Sequence, residues 1–297
     1  MTFSVFMQFL AFGVSLGATY ALIAIGYTIV YGVLGLINIA HGDLFMLAGF
    51  IAMWGVFKYN IPAPLAFLLG AVAVPILGII IERVAYRPLR DFKISAFTST
   101  VAVSFFLQSS VIIFFTARAH AFPVPAVLER VIDIGGVTIS VVTLFIIAVS
   151  ALLFVLLSLL VTKTKMGRAM RALSKDLETT KLMGVNTNQV ISFAFALATL
   201  YAAAAAFMWG FKFPTFDAYT GIIPGLKGFV GAVIGGIGSI PGALVGGFLL
   251  GLAEILLIAF FPSLSGWRDI FAYGLMIIFL LFRPGGIFNV KVREEKV

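Results

Sequence analysis

Polar side chains that could bind or transfer a ligand are rare in this sequence, and they lie inside long apolar stretches. The segment Asn38-Ile39-Ala40-His41-Gly42-Asp43 supplies an amide, an imidazole and a carboxylate, while Gln108 and Glu254 each lie within an apolar run. Such groups are costly at bilayer depth, so they usually mark the path of a substrate or an ion. Asp43 could instead cap a helix that begins at Leu44, and Glu254 could be structural glue between helices.

The same side chains do not form the common enzyme sites. The chain has no cysteine and two histidines, His41 and His120, which excludes thiolate chemistry and multi-histidine metal sites. A membrane-embedded enzyme would need paired carboxylates or a His/Asp cluster, and only His41 near Asp43 approaches that pattern. No G-x-x-x-x-G-K-[ST] segment occurs, so the chain is not expected to bind and hydrolyse ATP by itself. We expect a protein that is not an enzyme and has no cofactor or metal of its own.

The elements that must position these side chains are membrane-spanning helices. Of the 297 residues, 62% are hydrophobic and 11% are charged, whereas soluble domains carry roughly a quarter charged residues. A helix needs about 20 apolar residues to cross the hydrocarbon core. The uncharged runs occupy residues 1–42, 59–81, 94–117, 134–162, 182–211, 228–253 and 270–282, and a further span lies between Asp43 and Lys58. We predict an all-α, polytopic membrane protein with about eight to nine passes, forming one transmembrane domain over residues 1–297.

Two of these runs are interrupted. The first is split at Tyr31-Gly32 and at Asn38–Gly42, and the run from residue 228 is split at Gly238–Gly242. Paired breaks of this kind predict discontinuous helices beside a transport pathway. Glycines four residues apart, such as Gly247 and Gly251, allow helices to cross closely, and packing alone explains most of them. The candidate pathway residues are Asn38, His41, Gly42, Asp43, Gln108, Gly238, Ser239 and Glu254.

Three basic clusters predict which ends of the helices face the cytoplasm, because cytoplasmic loops are enriched in Lys and Arg. Their members are Arg83, Arg87, Arg90 and Lys93; Lys163, Lys165, Arg168, Arg171, Lys175 and Lys181; and Arg283, Lys291, Arg293 and Lys296. The C-terminal tail is therefore predicted to be cytoplasmic, with residues 118–139 and those near Lys212 outside. Counting back places the N-terminus outside. The net charge of +8 arises largely from these loops, so nucleic acid is not an expected partner. Tyr20, Tyr27 and Tyr31 are expected to be anchors at the membrane surface.

The second basic cluster contains a short helix with recognisable ends. Ser174 can cap its start, acidic residues follow in the first turn, and Gly184 lies just past its end, where a left-handed residue is favoured. We predict a helix over Lys175–Met183, with Asn186 or Thr187 capping the next span. Such a helix either lies on anionic lipid headgroups or docks into a groove on another protein.

Three segments together resemble a known family: Asn38–Asp43, the loop from Arg168–Ala172 through Leu182–Asn186, and Gly235–Ala243. They look like the Liv-type permeases, which are membrane subunits of bacterial ABC importers for branched-chain amino acids, and the similarity runs over nearly the whole chain. The resemblance implies a second homologous permease, two cytoplasmic ATPases that bind the ATP, a periplasmic substrate-binding protein and the inner membrane as location. It also implies that residues 163–185 form the coupling loop that contacts an ATPase. The residues assigned to this contact are Arg171, Lys175, Asp176, Thr180, Lys181 and Gly184.

The mechanism expected from the resemblance is alternating access, in which ATP-driven closure of the ATPases pushes the coupling loop and opens a mostly apolar central path. The same machine could carry urea, short amides or another amino acid, since relatives of this type differ in cargo. A stand-alone secondary transporter or channel is the other alternative. It would favour titratable residues along the path, for which only Asp43 and Glu254 qualify.

Overall fold

The computed structural model describes residues 2–289, and helices make up most of this part of the chain. The α-helices of this part of the chain are α1 Phe3–Leu34, α2 His41–Phe57, α3 Ala63–Ile81, α4 Lys93–Phe115, α5 Val141–Lys163, α6 Lys165–Lys175, α7 Leu177–Leu182, α8 Thr187–Lys212, α9 Ile222–Gly235, α10 Ile240–Phe260 and α11 Arg268–Phe282. A π-helical turn at Glu82–Tyr86 and 3₁₀ segments at Arg87–Leu89 and Pro262–Trp267 extend or connect them. Short strands form two antiparallel pairs, β1 His120–Ala121 with β4 Thr215–Phe216 and β2 Val131–Ile134 with β3 Val137–Ser140.

Within residues 2–289, seven helical segments are long and apolar enough to cross a membrane. They are Phe3–Leu34, Ala63–Leu89, Lys93–Phe115, Val141–Lys163, Thr187–Lys212, Ile240–Phe260 and Pro262–Phe282. The helices α2 and α9 are also apolar but shorter, at 17 and 14 residues. The predicted all-α, polytopic membrane protein with discontinuous helices is thereby confirmed.

The helices α1 and α8 occupy the centre of the bundle. In the most apolar 18-residue stretch of α1 and of α8, 72% and 78% of the residues are buried. In the segment Pro262–Phe282, which contains α11, the corresponding share is 6%. Close packing around α8 is possible because it carries a run of fully buried small residues, Ala202, Ala203, Ala205 and Ala206. The peripheral segments that contain α3, α4, α5 and α11 bury less than a third of their residues, which suits contact with lipid or with another subunit.

Glycines make the contact between α9 and α10, which form a tight helical hairpin against α1. A Cβ atom on Gly231 would lie 2.7 Å from the Cα of Gly247, and one on Gly247 would lie 2.6 Å from the Cα of Ala21. One turn further along α10, Gly251 meets the backbone of Gly17 in the same way. The four-residue glycine spacing therefore serves helix crossing, as the sequence predicted.

Replacing Gly231 with alanine is expected to destabilise the protein by about 1–3 kcal/mol, because the added methyl group meets backbone atoms that cannot move aside. The matched control is Gly274→Ala in α11, where a Cβ atom would meet nothing within 4 Å. The control should be neutral or slightly stabilising, since alanine favours the helix. The midpoint of thermal unfolding in detergent measures both variants, and equal midpoints would contradict this account of the hairpin.

The basic loops lie at one end of the bundle, which we call the basic end and define by the loops 82–92 and 164–186. Arg90 Nη1 donates to Asn188 Oδ1 at 2.7 Å, and Arg87 Nη2 donates to Ser192 Oγ at 2.9 Å, so the first loop reaches the start of α8. Pairing of β1 with β4 joins the segments that follow α4 and α8 at the other end. Both groupings agree with the sequence prediction, while the side of the membrane that each end faces stays a prediction.

The tail returns towards the basic end. The backbone N–H of Ile287 donates to the carbonyl of Ile234 at 2.9 Å, at the end of α9. Of the basic tail residues, Arg283 is described, whereas Lys291, Arg293 and Lys296 lie outside the described residues.

The predicted break at Tyr31-Gly32 is wrong. Helix α1 runs unbroken to Leu34 and ends at Gly35, whose φ is +68°. A Cβ atom placed on Gly32 would lie 3.7 Å from the carbonyl oxygen of Gly238, which is an ordinary contact distance, so this position lies within the helix without a steric need for glycine. Tyr20 and Tyr27 are also not surface anchors, because both are buried in the core.

Candidate functional site

Helix α2 begins inside the bundle rather than at its end. His41, its first residue, is fully buried, and its ring packs against Tyr27 of α1 with ring centroids 4.6 Å apart. The backbone of Gly26 lies against the same ring. Gly26 is nine residues before Gly35, where α1 ends, which corresponds to about 13 Å at 1.5 Å per residue. The irregular segment 35–40 therefore folds back into the bundle, as predicted for a discontinuous helix.

The starts of α2 and α9 meet at this depth. A Cβ atom on Gly42 would lie 2.5 Å from the carbonyl oxygen of Gly221 and 3.4 Å from the Cα of Gly225. Neither helix has a side-chain hydrogen bond capping its N-terminus. Because helix N-termini carry partial positive charge, two such ends concentrate positive potential at one place inside the bundle.

Asp43 lies in the first turn of α2, but it does not cap the helix. The helix starts three residues earlier than expected, at His41, and the buried Asp43 carboxylate accepts a hydrogen bond from Gln108 Nε2 at 2.9 Å. The same amide nitrogen lies 3.3 Å from Ser104 Oγ. The capping alternative is therefore wrong, because the carboxylate is turned towards α4. A buried carboxylate needs such partners, since burial without them is very costly.

Asn38, a buried residue in the segment before α2, is a further member of this group. Its Oδ1 accepts a hydrogen bond from the hydroxyl of Tyr86 at 2.8 Å, on the π-helical turn. Its buried Nδ2 has no hydrogen-bond partner among residues 2–289. Buried polar atoms are usually satisfied, so this amide is a donor able to bind a ligand or water. We define Asn38, His41, Asp43, Tyr86 and Gln108 as the polar cluster.

Glu254 belongs to a different group. It is fully buried in α10 and forms ion pairs with Lys227 of α9 and with Arg268 Nε, the latter at 2.7 Å. Lys227 is itself 0% exposed and also pairs with Asp269 Oδ1 at 2.7 Å. These contacts match the alternative in which Glu254 joins neighbouring helices. The four charges sum to zero and tie α9, α10 and α11 together.

Gly238 and Ser239 lie in the break between α9 and α10, near the basic end and away from the polar cluster. Gly238 is exposed, with a φ of +100° that favours glycine. The Ser239 hydroxyl accepts a hydrogen bond from the backbone N–H of Gly242 at 3.1 Å and thereby caps α10. Both residues have a clear structural role at this turn.

The coupling loop differs from its predicted form. The chain forms α6 up to Lys175, and Asp176, rather than Ser174, caps the next helix by accepting from Glu178 N at 2.9 Å. Ser174 lies within α6 and donates to the carbonyl of Arg171. The short helix predicted over Lys175–Met183 is present as α7, but it begins two residues later, at Leu177, and an extended residue at position 176 separates it from α6.

The end of the loop agrees better with the sequence. Gly184 has a φ of +79°, and Asn186 Oδ1 caps α8 by accepting from Gln189 N. Thr180 is buried and donates to the backbone carbonyl of Asp176 at 2.5 Å. Its hydroxyl is therefore used inside the loop and does not face outward.

Two residues missed in the sequence are the most prominent feature of this loop. Leu182, the last residue of α7, is 86% exposed, and Met183, directly after it, is 79% exposed. An adjacent apolar pair in an otherwise basic, polar loop was the sequence signal that could have identified them. Apolar side chains of this size are exposed on a surface loop at a cost that contact with another protein would remove.

Comparison with known proteins identifies the family of this chain. The family described as branched-chain amino acid transport system / permease component matches residues 9–280. The chain is 39% identical over 306 residues to the high-affinity branched-chain amino acid transport system permease protein BraD of Pseudomonas aeruginosa, covering 98% of each chain. The chain belongs to this family.

Other relatives are consistent with this assignment. The permease is 37% identical over 309 residues to LivH of Escherichia coli K12, a high-affinity branched-chain amino acid transport system permease protein, with 99% of each chain covered. It is also 24% identical over 274 residues to the ribose import permease protein RbsC of Haemophilus influenzae, covering 87% of this chain and 79% of RbsC. The resemblance seen in the sequence is confirmed.

Of the candidate pathway residues, the permease brings five together. Asn38, His41, Gly42, Asp43 and Gln108 meet where α2 begins inside the bundle. Glu254 lies in the separate ion network, and Gly238 with Ser239 forms the turn near the basic end. Sequence reasoning missed Tyr86, whose position after an apolar span gave no sign that a π-helical turn carries it inward. It also missed Lys227, although a lysine within a glycine-rich apolar run was the available signal.

Proposed function

We propose that this permease is the membrane-spanning subunit of an ABC importer that carries branched-chain amino acids inward across a bacterial inner membrane. One observation supports this most strongly: the ring of His41, the first residue of α2, packs against α1 about 13 Å along that helix from its end, so the polar cluster lies inside the bundle. Irregular backbone at membrane depth is tolerated where it lines a cavity or pathway. The family match adds the class of transporter.

The polar cluster suits the charged groups of an amino acid. In this proposal the substrate carboxylate faces the converging N-termini of α2 and α9, whose partial positive charge favours an anion. The ammonium group faces Asp43, which already accepts a hydrogen bond from Gln108. The aliphatic side chain passes the apolar surfaces of the surrounding helices.

The remaining parts of the machine are partners. A second homologous permease covers part of the exposed helix faces, two ATPase subunits bind ATP and contact the coupling loop, and a periplasmic protein delivers the substrate. The basic end and the C-terminal tail then face the cytoplasm. Closure of the ATPases pushes α7 and the start of α8, which is bonded to the loop 82–92 through Arg90 and Asn188. The π-helical turn of that loop carries Tyr86 to Asn38, so the push reaches the polar cluster.

The test is uptake of radiolabelled leucine into proteoliposomes that contain the permease, its partner subunits, the binding protein and internal ATP. Asp43→Asn is expected to lower uptake about tenfold or more, because a hydrogen bond to a charged group is worth about 1.5–3 kcal/mol. The matched control is Asp133→Asn on the exposed hairpin, which should transport normally. Monodisperse purification of both variants shows that they fold.

Two results separate the parts of this proposal. Normal leucine uptake by a folded Asp43→Asn variant would show that the polar cluster does not take part in substrate transport. ATP-driven uptake of urea or a short amide without leucine uptake would support the assignment as an ABC importer and show that its substrate is not a branched-chain amino acid. The second case is a real alternative, since a permease named for ribose import shares much of this chain's length.

A further inference from the structure

A recess at the basic end, outside the polar cluster, is lined by groups that donate hydrogen bonds. It has a volume of about 240 Å³ and lies between the π-helical turn and the start of α8. Its lining residues are Arg83, Arg87, Asn186, Asn188, Gln189 and Ser192. The transport mechanism proposed above uses one lining side chain, Asn188, through its bond to Arg90, but it places no ligand in this recess.

Most of the oxygen acceptors in the recess are already used within the protein. Asn188 Oδ1 accepts from Arg90 at 2.7 Å, and Asn186 Oδ1 accepts from the backbone N–H of Gln189 at 3.2 Å. The Ser192 hydroxyl donates to Glu82 Oε2 at 2.7 Å and accepts from Arg87. The polar groups that remain are the guanidinium groups, the amide nitrogens of the two asparagines and the side-chain amide of Gln189, whose oxygen is the one acceptor among them while the others are donors.

The two arginines differ in how their charge is balanced. Arg87 forms an ion pair with the buried carboxylate of Glu82. Its Nε donates to Glu82 Oε1 at 3.0 Å, and its Nη2 donates to Glu82 Oε2 at 2.7 Å. Arg83 is exposed and has no ion-pair partner among the described residues. The recess therefore holds one uncompensated guanidinium beside a second one of fixed orientation, which suits the oxygens of a phosphate group.

The surroundings of the recess indicate where that phosphate comes from. Val84, beside Arg83, is 72% exposed, and Ile76 and Ile80 on the same side of α3 are also exposed. Residues 76, 80 and 83 follow one another at helical spacing, so an aliphatic stripe leads along α3 directly to Arg83. A soluble phosphate has no apolar part that could contact this stripe, whereas the acyl chains of a lipid would lie along it.

We propose that this recess binds the phosphodiester headgroup of an anionic membrane lipid, with Arg83 as the main charged contact and the lipid tails along α3. Basic recesses between membrane helices at the cytoplasmic surface commonly bind such headgroups. The π-helical turn that forms one wall also carries Tyr86 to Asn38. The lipid therefore sits against the same turn that supports the polar cluster.

The experiment is native mass spectrometry of the full-length permease, released from micelles that contain equal amounts of phosphatidylglycerol and phosphatidylcholine. The wild type should retain one phosphatidylglycerol preferentially. Arg83→Gln should lower that retention about fivefold, since one basic residue near the surface contributes about that factor. The matched control is Arg168→Gln, which removes an exposed charge from α6 at the same end but outside the recess.

Each outcome decides the proposal. Loss of retention in Arg83→Gln with normal retention in Arg168→Gln supports a specific site. Equal losses in both variants would show diffuse surface attraction and overturn it, as would unchanged retention in Arg83→Gln. Displacement of the phosphatidylglycerol by a few millimolar inorganic phosphate would show a site for free phosphate and likewise overturn the lipid assignment. Because Arg83 has no partner within the described chain, its replacement is not expected to disturb folding, which gel filtration checks.

Discussion

Replacing both Leu182 and Met183 with serine is expected to lower ATP-driven uptake at least tenfold while leaving the permease folded in the membrane. The two side chains are 86% and 79% exposed, so they contribute little to the fold of the chain itself. Burial of each in a groove of an ATPase subunit would contribute about 1.5–3 kcal/mol. Loss of 1.4 kcal/mol, about half of the lower combined value, already weakens docking tenfold.

The loop holds this pair in a defined position, which is why the effect is expected to be large. Asp176 caps the start of α7, at whose end the pair lies, and Gly184 adopts a left-handed conformation directly after the pair. Substituting Asp176 or Gly184 should therefore also reduce coupling, but through the shape of the loop. The serine variants keep the cap and the turn and remove only the apolar contact surface.

The measurement compares leucine uptake with co-purification of the ATPase subunits. The matched control is Val127→Ser, which removes a 68% exposed apolar side chain from the segment between α4 and α5 at the opposite end. The control should keep both uptake and ATPase binding. If the Leu182/Met183 variant binds the ATPases and transports as well as the control does, this pair is not the docking contact.

The sequence predicts the overall fold well, because hydropathy and charge act over whole segments. Long apolar runs must be helical in a bilayer, and the basic loops fall at one end, as the bonds from Arg87 and Arg90 to α8 show. The break at residues 38–42 could also be predicted, since a polar segment cannot continue an apolar span. Its depth could not, because depth depends on where α1 ends and how segment 35–40 folds back.

Individual contacts were harder to predict, because they join residues far apart in the chain. Asp43 and Gln108 are 65 positions apart, and Lys227 and Glu254 are 27 apart. The requirement that Glu254 have a basic partner follows from the cost of a buried charge, but the identity of the partner does not. The break predicted at Tyr31-Gly32 was wrong because a single glycine lowers the stability of a helix without ending it, and α1 continues to Leu34.

The ion network around Glu254 gives the second large effect. Replacing Glu254 with glutamine leaves the 0% exposed Lys227 with only Asp269 as a partner, and replacing Lys227 with methionine leaves Glu254 with only Arg268. Breaking a buried pair from one side costs about 3–5 kcal/mol, and the remaining partner keeps each variant near the lower value. At about 3 kcal/mol, and roughly 2–4 °C per kcal/mol, each single variant should unfold roughly 6–12 °C lower.

The double variant distinguishes a true ion pair from two unrelated packing defects. Lys227→Met combined with Glu254→Gln removes one positive and one negative charge together, leaving Arg268 paired with Asp269 at the half-exposed edge. Replacing both members of a buried pair is often neutral, so the double variant should be more stable than either single variant. Arg268→Gln is the matched control, because Arg268 is 39% exposed and water can solvate the site when its charge is removed. Thermal unfolding midpoints that fall additively in the double variant would show that Lys227 and Glu254 are not coupled, and that packing alone holds α9, α10 and α11 together.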